Sequence, residues 1–330
     1  MYCISCILPA YANCNIFLII RMASFKGNSN TIKCLEEKIK HCELSNVPLN
    51  ISNKIGEGGY AHVYKLTIRN KDAAVKILKT QLSKKKVLEV AIELRKLKHS
   101  NVVRFRGYTL RPSGFVFELC ELKVDEETVI HNVSQLVQLF NDNDHFNLME
   151  RLDIILQGAK GLQYLHHQNV VHKDFKPENC LVSGTLDNLV IKVSDFDEIV
   201  EIKNTITSTL TINKKLIGMT LSYVAPEIFL GKKLASKSSD IYALALSCFV
   251  ILNNTYGSPW KNVIPLLSDT LLLQAIKDGK RPYIEETCRI YKENPAQLLK
   301  IIKKAWSQDE HLRPDIDQVC TYLYTCFHIF

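Results

Sequence analysis

The sequence predicts an α+β fold in two lobes: a small, mostly antiparallel β lobe with one helix, then a larger, mainly helical lobe. Three observations predict it. Five strand-like segments bounded by Gly, Asn or Lys clusters lie before residue 121, with a single helical pattern among them. Beyond residue 121 the pattern is mainly helical. The chain has 330 residues, 46% hydrophobic and 23% charged. This is globular composition, and the length suits one large two-lobed domain or two small ones. Collagen-like, coiled-coil and low-complexity classes are excluded.

In chain order, residues 31–45 read as a short charged helix. Strands are expected at 49–55, 61–68 and 73–78. Residues 84–98 show helical spacing, with Val87, Ala91, Leu94 and Leu97 on the apolar side. Further strands are expected at 102–109 and 115–119. In the second part, 148–167 reads as a long amphipathic helix. Residues 241–252 are apolar nearly all round, which marks a buried central helix. Helices at 271–277, 295–307 and 316–330 complete the set, and Pro295 suits a helix start. There is no internal repeat.

Lys plus Arg number 42 against 34 Asp plus Glu, a net charge of +8. That excess is mild. It helps hold an anionic ligand without arguing for nucleic acid. No basic run is interleaved with aromatics, and Lys84, Lys85 and Lys86 read as a solvated helix start, so no nucleic-acid partner is expected. The 11 cysteines are odd in number and scattered, and Cys3 and Cys6 form a lone CxxC. No disulfide framework is expected, and reduced thiols point to the cytoplasm. Residues 1–20 carry no charge and are followed by Arg21 and Lys26. That length only just reaches a membrane span, and the basic flank would keep the rest of the chain cytosolic. The other reading is a leader without structure of its own, or a start at Met22.

Chemistry concentrates in four places. Ile55, Gly56, Glu57, Gly58 and Gly59 form a glycine-rich hairpin whose backbone amides are open to phosphate. The next strand carries Lys76 among apolar neighbours, where an ammonium needs an anionic partner or a path to solvent, and beside the glycine hairpin a phosphate partner is the better reading. Glu89 and Glu93 follow on one helical face, and either is spaced to pair with Lys76. In the run 170–179, Asp174, Lys176 and Asn179 fall in one loop. A carboxylate to take a hydroxyl proton, an ammonium to neutralise a moving phosphoryl group and an amide oxygen for Mg²⁺ suit phosphoryl transfer. An apolar strand then delivers Asp195 as a second hard oxygen ligand.

These motifs, in this order, resemble the eukaryotic protein kinase family. His172-Lys173-Asp174 with Asn179 is similar to its catalytic loop, Asp195-Phe196-Asp197 to its metal-binding motif, and Ala225-Pro226-Glu227 to the end of its activation segment. Asp240 matches the aspartate that braces the catalytic loop, and Arg313 the arginine that pairs with Glu227. The resemblance covers about residues 50–325. It implies a two-lobed kinase domain over 47–330, divided at 119/120, with 1–46 as an extension. It also implies ATP and Mg²⁺, with Lys76 on the phosphates, Glu89 orienting Lys76, Asp174 and Lys176 at the transfer, and Asn179 and Asp195 on the metal. Adenine would lie between Ala74 and Leu181, under Val63 and against the hinge Glu118, Leu119 and Cys120, with Phe117 behind it. Lys176 and Thr220 are similar to Ser/Thr kinases, whereas Gly279 to Pro282, Trp306 and the stretch 309–314 look tyrosine-kinase-like. The mixture resembles the tyrosine-kinase-like group, whose members mostly phosphorylate protein Ser or Thr.

The sequence departs from the family at several positions. Ala61 stands for the third loop glycine. Lys173 replaces an arginine that grips loop phosphates, which weakens switching through Thr205, Thr207, Ser208, Thr209 or Thr211. Asp197 replaces a glycine and adds charge beside Asp195. Met219 and Ala245 are milder. The family spacing places the partner of Lys76 at Val90, and Glu89 restores it with one extra residue. Two alternatives to a Ser/Thr kinase stay open: a pseudokinase serving as a nucleotide-binding or scaffolding module, and a tyrosine or dual-specificity kinase.

Overall fold

The small lobe is built on five antiparallel strands: β1 (Lys54–Glu57), β2 (Ala61–Ile68), β3 (Lys71–Leu78), β4 (Phe105–Leu110) and β5 (Ser113–Glu118). Their order in the sheet is β1-β2-β3-β5-β4. A computed structural model supplies the coordinates and describes residues 29–44, 50–143, 147–196, 220–231 and 234–328, apart from 254, 256, 265–267 and 284–294. The apolar leader, Asp197, Met219 and the five candidate loop phosphosites lie outside the described residues.

Alternation along the strands separates the two faces of this sheet. Leu66, Ala73, Val75, Ile77 and Val116 form a small core on one side. The register pairs Val63 with Lys76, Lys76 with Phe115, and Ala74 with Phe117, so these five share the opposite face. That face meets α2 (Lys84–Lys96), whose N-terminus is capped by Ser83. Val87, Leu88, Ala91 and Leu94 of α2 are buried in the main core. Ahead of the sheet, α1 (Ser29–Ile39) packs on α2.

The large lobe begins with the short pair β6 (Leu122–Lys123) and β7 (Val129–Ile130), then α3 (Val133–Asn143) and α4 (Leu148–His167). Asn147 and Glu150 form a capping box that sets the start of α4. The hairpin β8 (Cys180–Thr185) and β9 (Asn188–Val193) follows, then α5 (Pro226–Phe229) and α6 (Lys237–Leu252). Among the described residues the lobe continues with α7 (Asp269–Lys277), α8 (Pro295–Ala305) and α9 (Ile316–His328). From Ser239 to Leu252 α6 is buried on all sides, as the nearly all-apolar run 241–252 predicts, and it has its own capping box from Ser236 and Ser239. No helix among the described residues is long and apolar enough to cross a membrane. Their cysteines are free thiols.

The sequence reading located β2 and α4 to the residue. The strand expected at 49–55 is instead a 3₁₀ turn at Ile51–Asn53 leading into β1. Asn50 caps that turn by accepting the Ser52 N–H, a local bond that competes with strand pairing.

The lobes meet through close approach of α4, β9 and the loop after α2. Asn101 donates to the Ile191 carbonyl at 2.9 Å and to Gln157 Oε1 at 3.1 Å. Gly161 permits this, since a Cβ there would stand 2.3 Å from the Asn101 carbonyl oxygen and 2.6 Å from Val193. Gly161→Ala is therefore expected to destabilise the fold by about 2 kcal/mol through overpacking, read as a lower urea midpoint.

Candidate active site

The site lies where the inner face of the small sheet meets the loops of the large lobe. Register builds one half of it. The β8–β9 ladder pairs Cys180 with Val193, so Asn179 and Asp195 leave the hairpin at the same end. Ser194 locks them there, donating its N–H and hydroxyl to the Asn179 carbonyl at 2.8 and 2.9 Å. Lys76, from the inner face of β3, forms an ion pair with Asp195.

Asp174 is the most heavily bonded group of the other half. Its Oδ2 lies 2.6 Å from Lys176 Nζ, and its Oδ1 accepts the Thr220 N–H at 2.9 Å. Lys176 Nζ also donates to the Thr220 hydroxyl. Asn179 Nδ2 donates to the Asp174 carbonyl at 2.7 Å and to Oδ2 at 3.1 Å. Committing the amide nitrogen to Asp174 leaves Asn179 Oδ1 as the atom to offer a cation.

Beneath this loop sits Asp240, buried in the first turn of α6. It accepts the N–H groups of His172 and Lys173, each at 2.8 Å, and meets His166 Nε2 at 2.8 Å. His172 Nε2 bonds the Ser194 carbonyl at 2.8 Å and so joins the loop to the Asp195 strand. Lys173 and Asp195 adopt φ of 75° and 62°. L-residues populate this left-handed region at a cost, and such strain gathers at functional sites.

The glycine hairpin joins β1 to β2. A Cβ on Gly59 would meet nothing within 4 Å, and one on Gly58 only the Ala61 carbonyl oxygen at 4.0 Å. Packing against the protein does not require these glycines, and their backbone faces open space. Ala61 lies in β2 opposite Leu78, an extended conformation its methyl tolerates. Glu57, between the glycines, is tied to Lys54 and, at 3.1 Å, to Lys79. Those hydrogen bonds, Lys54 first, lower its carboxyl from 4.5 to about 2.

Val63 and Ala74 line the inner face near the end of β5, where Glu118 starts the connection to the large lobe. Glu118 is held by the Arg104 N–H at 2.9 Å and by Lys192 Nζ at 3.0 Å. Leu119 and Cys120 follow, and Leu181 is bridged to Asn132 below them. Burial, with Glu118 beside it, pushes the Cys120 thiol up to about 12, so it stays protonated at neutral pH. Burial, then the charges of Glu178 and Asp174, push the Tyr223 phenol far above its usual range.

One expected contact is not made here. Glu89 does not reach Lys76: its carboxylate lies 3.9 Å from Lys85, one turn away, and Glu93 pairs with Lys96. Lys76 meets Asp195 instead. Sequence reasoning also missed His166, the second donor side of Asp240, and Gln157, whose Oε1 accepts the Ile191 N–H at 2.9 Å. A lone polar residue on the apolar face of α4 was the available signal for each. Arg313 and Glu227 form a buried bidentate pair at 2.7 and 2.8 Å.

The family model described as "Protein kinase domain" matches residues 49–325. The chain belongs to this family. The kinase is 27% identical over 84% of its length to a probable serine/threonine-protein kinase of Dictyostelium discoideum. It is 28% identical over 85% to the serine/threonine-protein kinase STY17 of Arabidopsis thaliana, and 29% over 84% to stress-activated protein kinase alpha of Dictyostelium discoideum. It spans 20%, 45% and 41% of those three proteins. Members of the family use ATP and typically Mg²⁺.

The Glu57 ties set a pH dependence. A carboxyl whose folded value is depressed stabilises the fold above its ordinary value and loses that contribution as pH falls through the folded value. The difference in urea midpoint between wild type and Glu57→Gln is expected to hold steady from pH 7 to 5. It should shrink below pH 4.5 and vanish towards pH 2.

Proposed function

We propose that this chain transfers the γ-phosphoryl group of ATP to Ser or Thr hydroxyls of protein substrates. The observation that carries the reading is the Asp174 constellation: the Lys176 ammonium lies within hydrogen-bond reach of both the Asp174 carboxylate and the Thr220 hydroxyl, the same carboxylate accepts the Thr220 N–H, and the Lys76–Asp195 pair makes up the other half of the site. The names of the relatives and the Lys176–Thr220 contact support Ser or Thr as acceptor.

In this reading Asp174 Oδ2 orients the acceptor hydroxyl and takes its proton as the new O–P bond forms and the bond to the ADP leaving group breaks. Lys176 neutralises the charge that gathers on the phosphoryl oxygens. Lys76 holds the α and β phosphates once it exchanges Asp195 for them, and Glu89 keeps it there when α2 presents its carboxylate. The glycine hairpin, Ile55 through Gly59, covers the phosphates with backbone amides. Val63, Ala74 and Leu181 enclose the adenine, and the backbone of Glu118, Leu119 and Cys120 meets its edge. Asp195 and Asn179 Oδ1 would hold Mg²⁺, whose charge supports the phosphates when bound. Two protein oxygens suit this ion, which fills the rest of its octahedron with water and phosphate.

Transfer from labelled ATP with Mg²⁺ to a generic basic protein tests the reading. Wild-type chain is expected to label Ser or Thr. Asp174→Asn and Lys76→Met should each lower transfer by at least about a hundredfold with the fold retained. Near wild-type transfer by Asp174→Asn would remove the assigned base. Nucleotide binding without any transfer would favour the nucleotide-binding module over the enzyme.

A further inference from the structure

Residues 29–44 precede the part of the chain matched to the kinase domain, 49–325, yet they are packed into the small lobe. In α1, Ile32, Leu35 and Ile39 recur at helical spacing and turn towards the core. Ile39 is 1% exposed and shares a core with Val87, Ala91 and Leu94 of α2. Both ends of α2 are gripped from this segment. At its start, Lys84 pairs with Glu36. In its last turn, Arg95 donates to the Lys38 carbonyl, at the end of α1 where carbonyls lack helical partners.

Beyond α1 the chain closes on β4, the edge strand of the sheet. The Leu44 N–H donates to the Tyr108 carbonyl at 2.8 Å, and the buried Tyr108 hydroxyl donates to Glu43 at 3.4 Å. A Cβ on Gly107 would stand 2.5 Å from the Cys42 carbonyl oxygen, so this approach requires glycine. One segment thus covers the sheet edge and ties it to the helix that carries Glu89.

We propose that residues 29–44 are a strap that positions α2 for phosphoryl transfer, with Arg95 and Ile39 as positioning residues. They touch no reacting atom. They act through α2 and the β4–β5 face it packs on, where Phe115 pairs with Lys76, and so on the nucleotide side of the site. Asp174, Lys176 and Thr220 belong to the large lobe and do not depend on the strap. The inference rests on the phosphoryl-transfer reading and adds a specific split: loosening the strap weakens use of ATP and spares use of the protein substrate.

The test is steady-state kinetics on the full chain, with ATP and acceptor varied separately, for wild type, Arg95→Ala, Arg95→Lys and Ile39→Ala. Arg95→Ala and Ile39→Ala are expected to lower kcat/KM for ATP on the order of tenfold, with KM for the acceptor within about twofold. Arg95→Lys keeps a cationic donor for the Lys38 carbonyl and is expected to recover most of the loss. Three results would overturn the strap: kcat/KM for ATP unchanged or raised in Arg95→Ala, equal losses for ATP and acceptor that follow the thermal midpoint, or no recovery in Arg95→Lys. Asp174→Asn in the same series separates the two claims. If wild-type chain shows no transfer dependent on Asp174, the underlying reading fails and the strap's catalytic role fails with it.

Discussion

The buried carboxylate of Asp240 is the interaction on which the site depends. At 1% exposure, an ionised carboxylate without partners would cost several kcal/mol. Three donors compensate it, two from the backbone of His172 and Lys173 and one from His166. The first turn of α6 adds its favourable dipole. Meeting this carboxylate with two successive N–H groups holds Lys173 in the left-handed region, at a cost on the order of 1–3 kcal/mol. The turn so formed aims Asp174 at Lys176, Asn179 and Thr220. A buried charge in a helix that forms no part of the cleft therefore sets the geometry of the group proposed to take the proton.

The second constraint is the junction of the lobes. Asp195 is placed by β9, and β9 is pinned on three sides: to Asn179 through Ser194, to α4 through Gln157, and to the loop after α2 through Asn101 and Val103. One apolar core runs from Val87 and Leu94 in α2 through Leu162 in α4 to Leu246 in α6, so the lobes share their packing. A shift of α2 is then felt at Lys76 and Asp195 together. This gives a segment outside the domain match, residues 29–44, a physical route to the phosphates.

Local chemistry explains what was legible in the sequence. β2 and α4 were read to the residue because their periodicities are long and unbroken. The glycine hairpin, Lys76, Asp174, Asn179 and Asp195 were legible because charged and amide groups sit beside apolar strands in a fixed order. α3 was not, since its run from Val133 to Asn143 ends in three polar residues that blur a helical stripe. The pairing of Glu89 was not either. Spacing puts Glu89 and Glu93 on one face of α2, but the rotation of the helix chooses between Lys76 and the nearer Lys85. Residues 31–45 were read as a charged helix outside the domain, although Ile32, Leu35 and Ile39 already marked a face that had to be covered.

The most direct test of this account is the rate of phosphate transfer by Asp240→Asn, measured in a single turnover with saturating Mg²⁺ and ATP. Asn keeps the shape of the side chain but removes its charge and one acceptor, so the loop loses part of its hold while the nucleotide side is untouched. The account predicts a rate lower by at least about a hundredfold with nucleotide affinity close to wild type. A rate within a few-fold of wild type would contradict it, and would mean that Asp174 is placed by Lys176, Asn179 and Thr220 without the buried carboxylate.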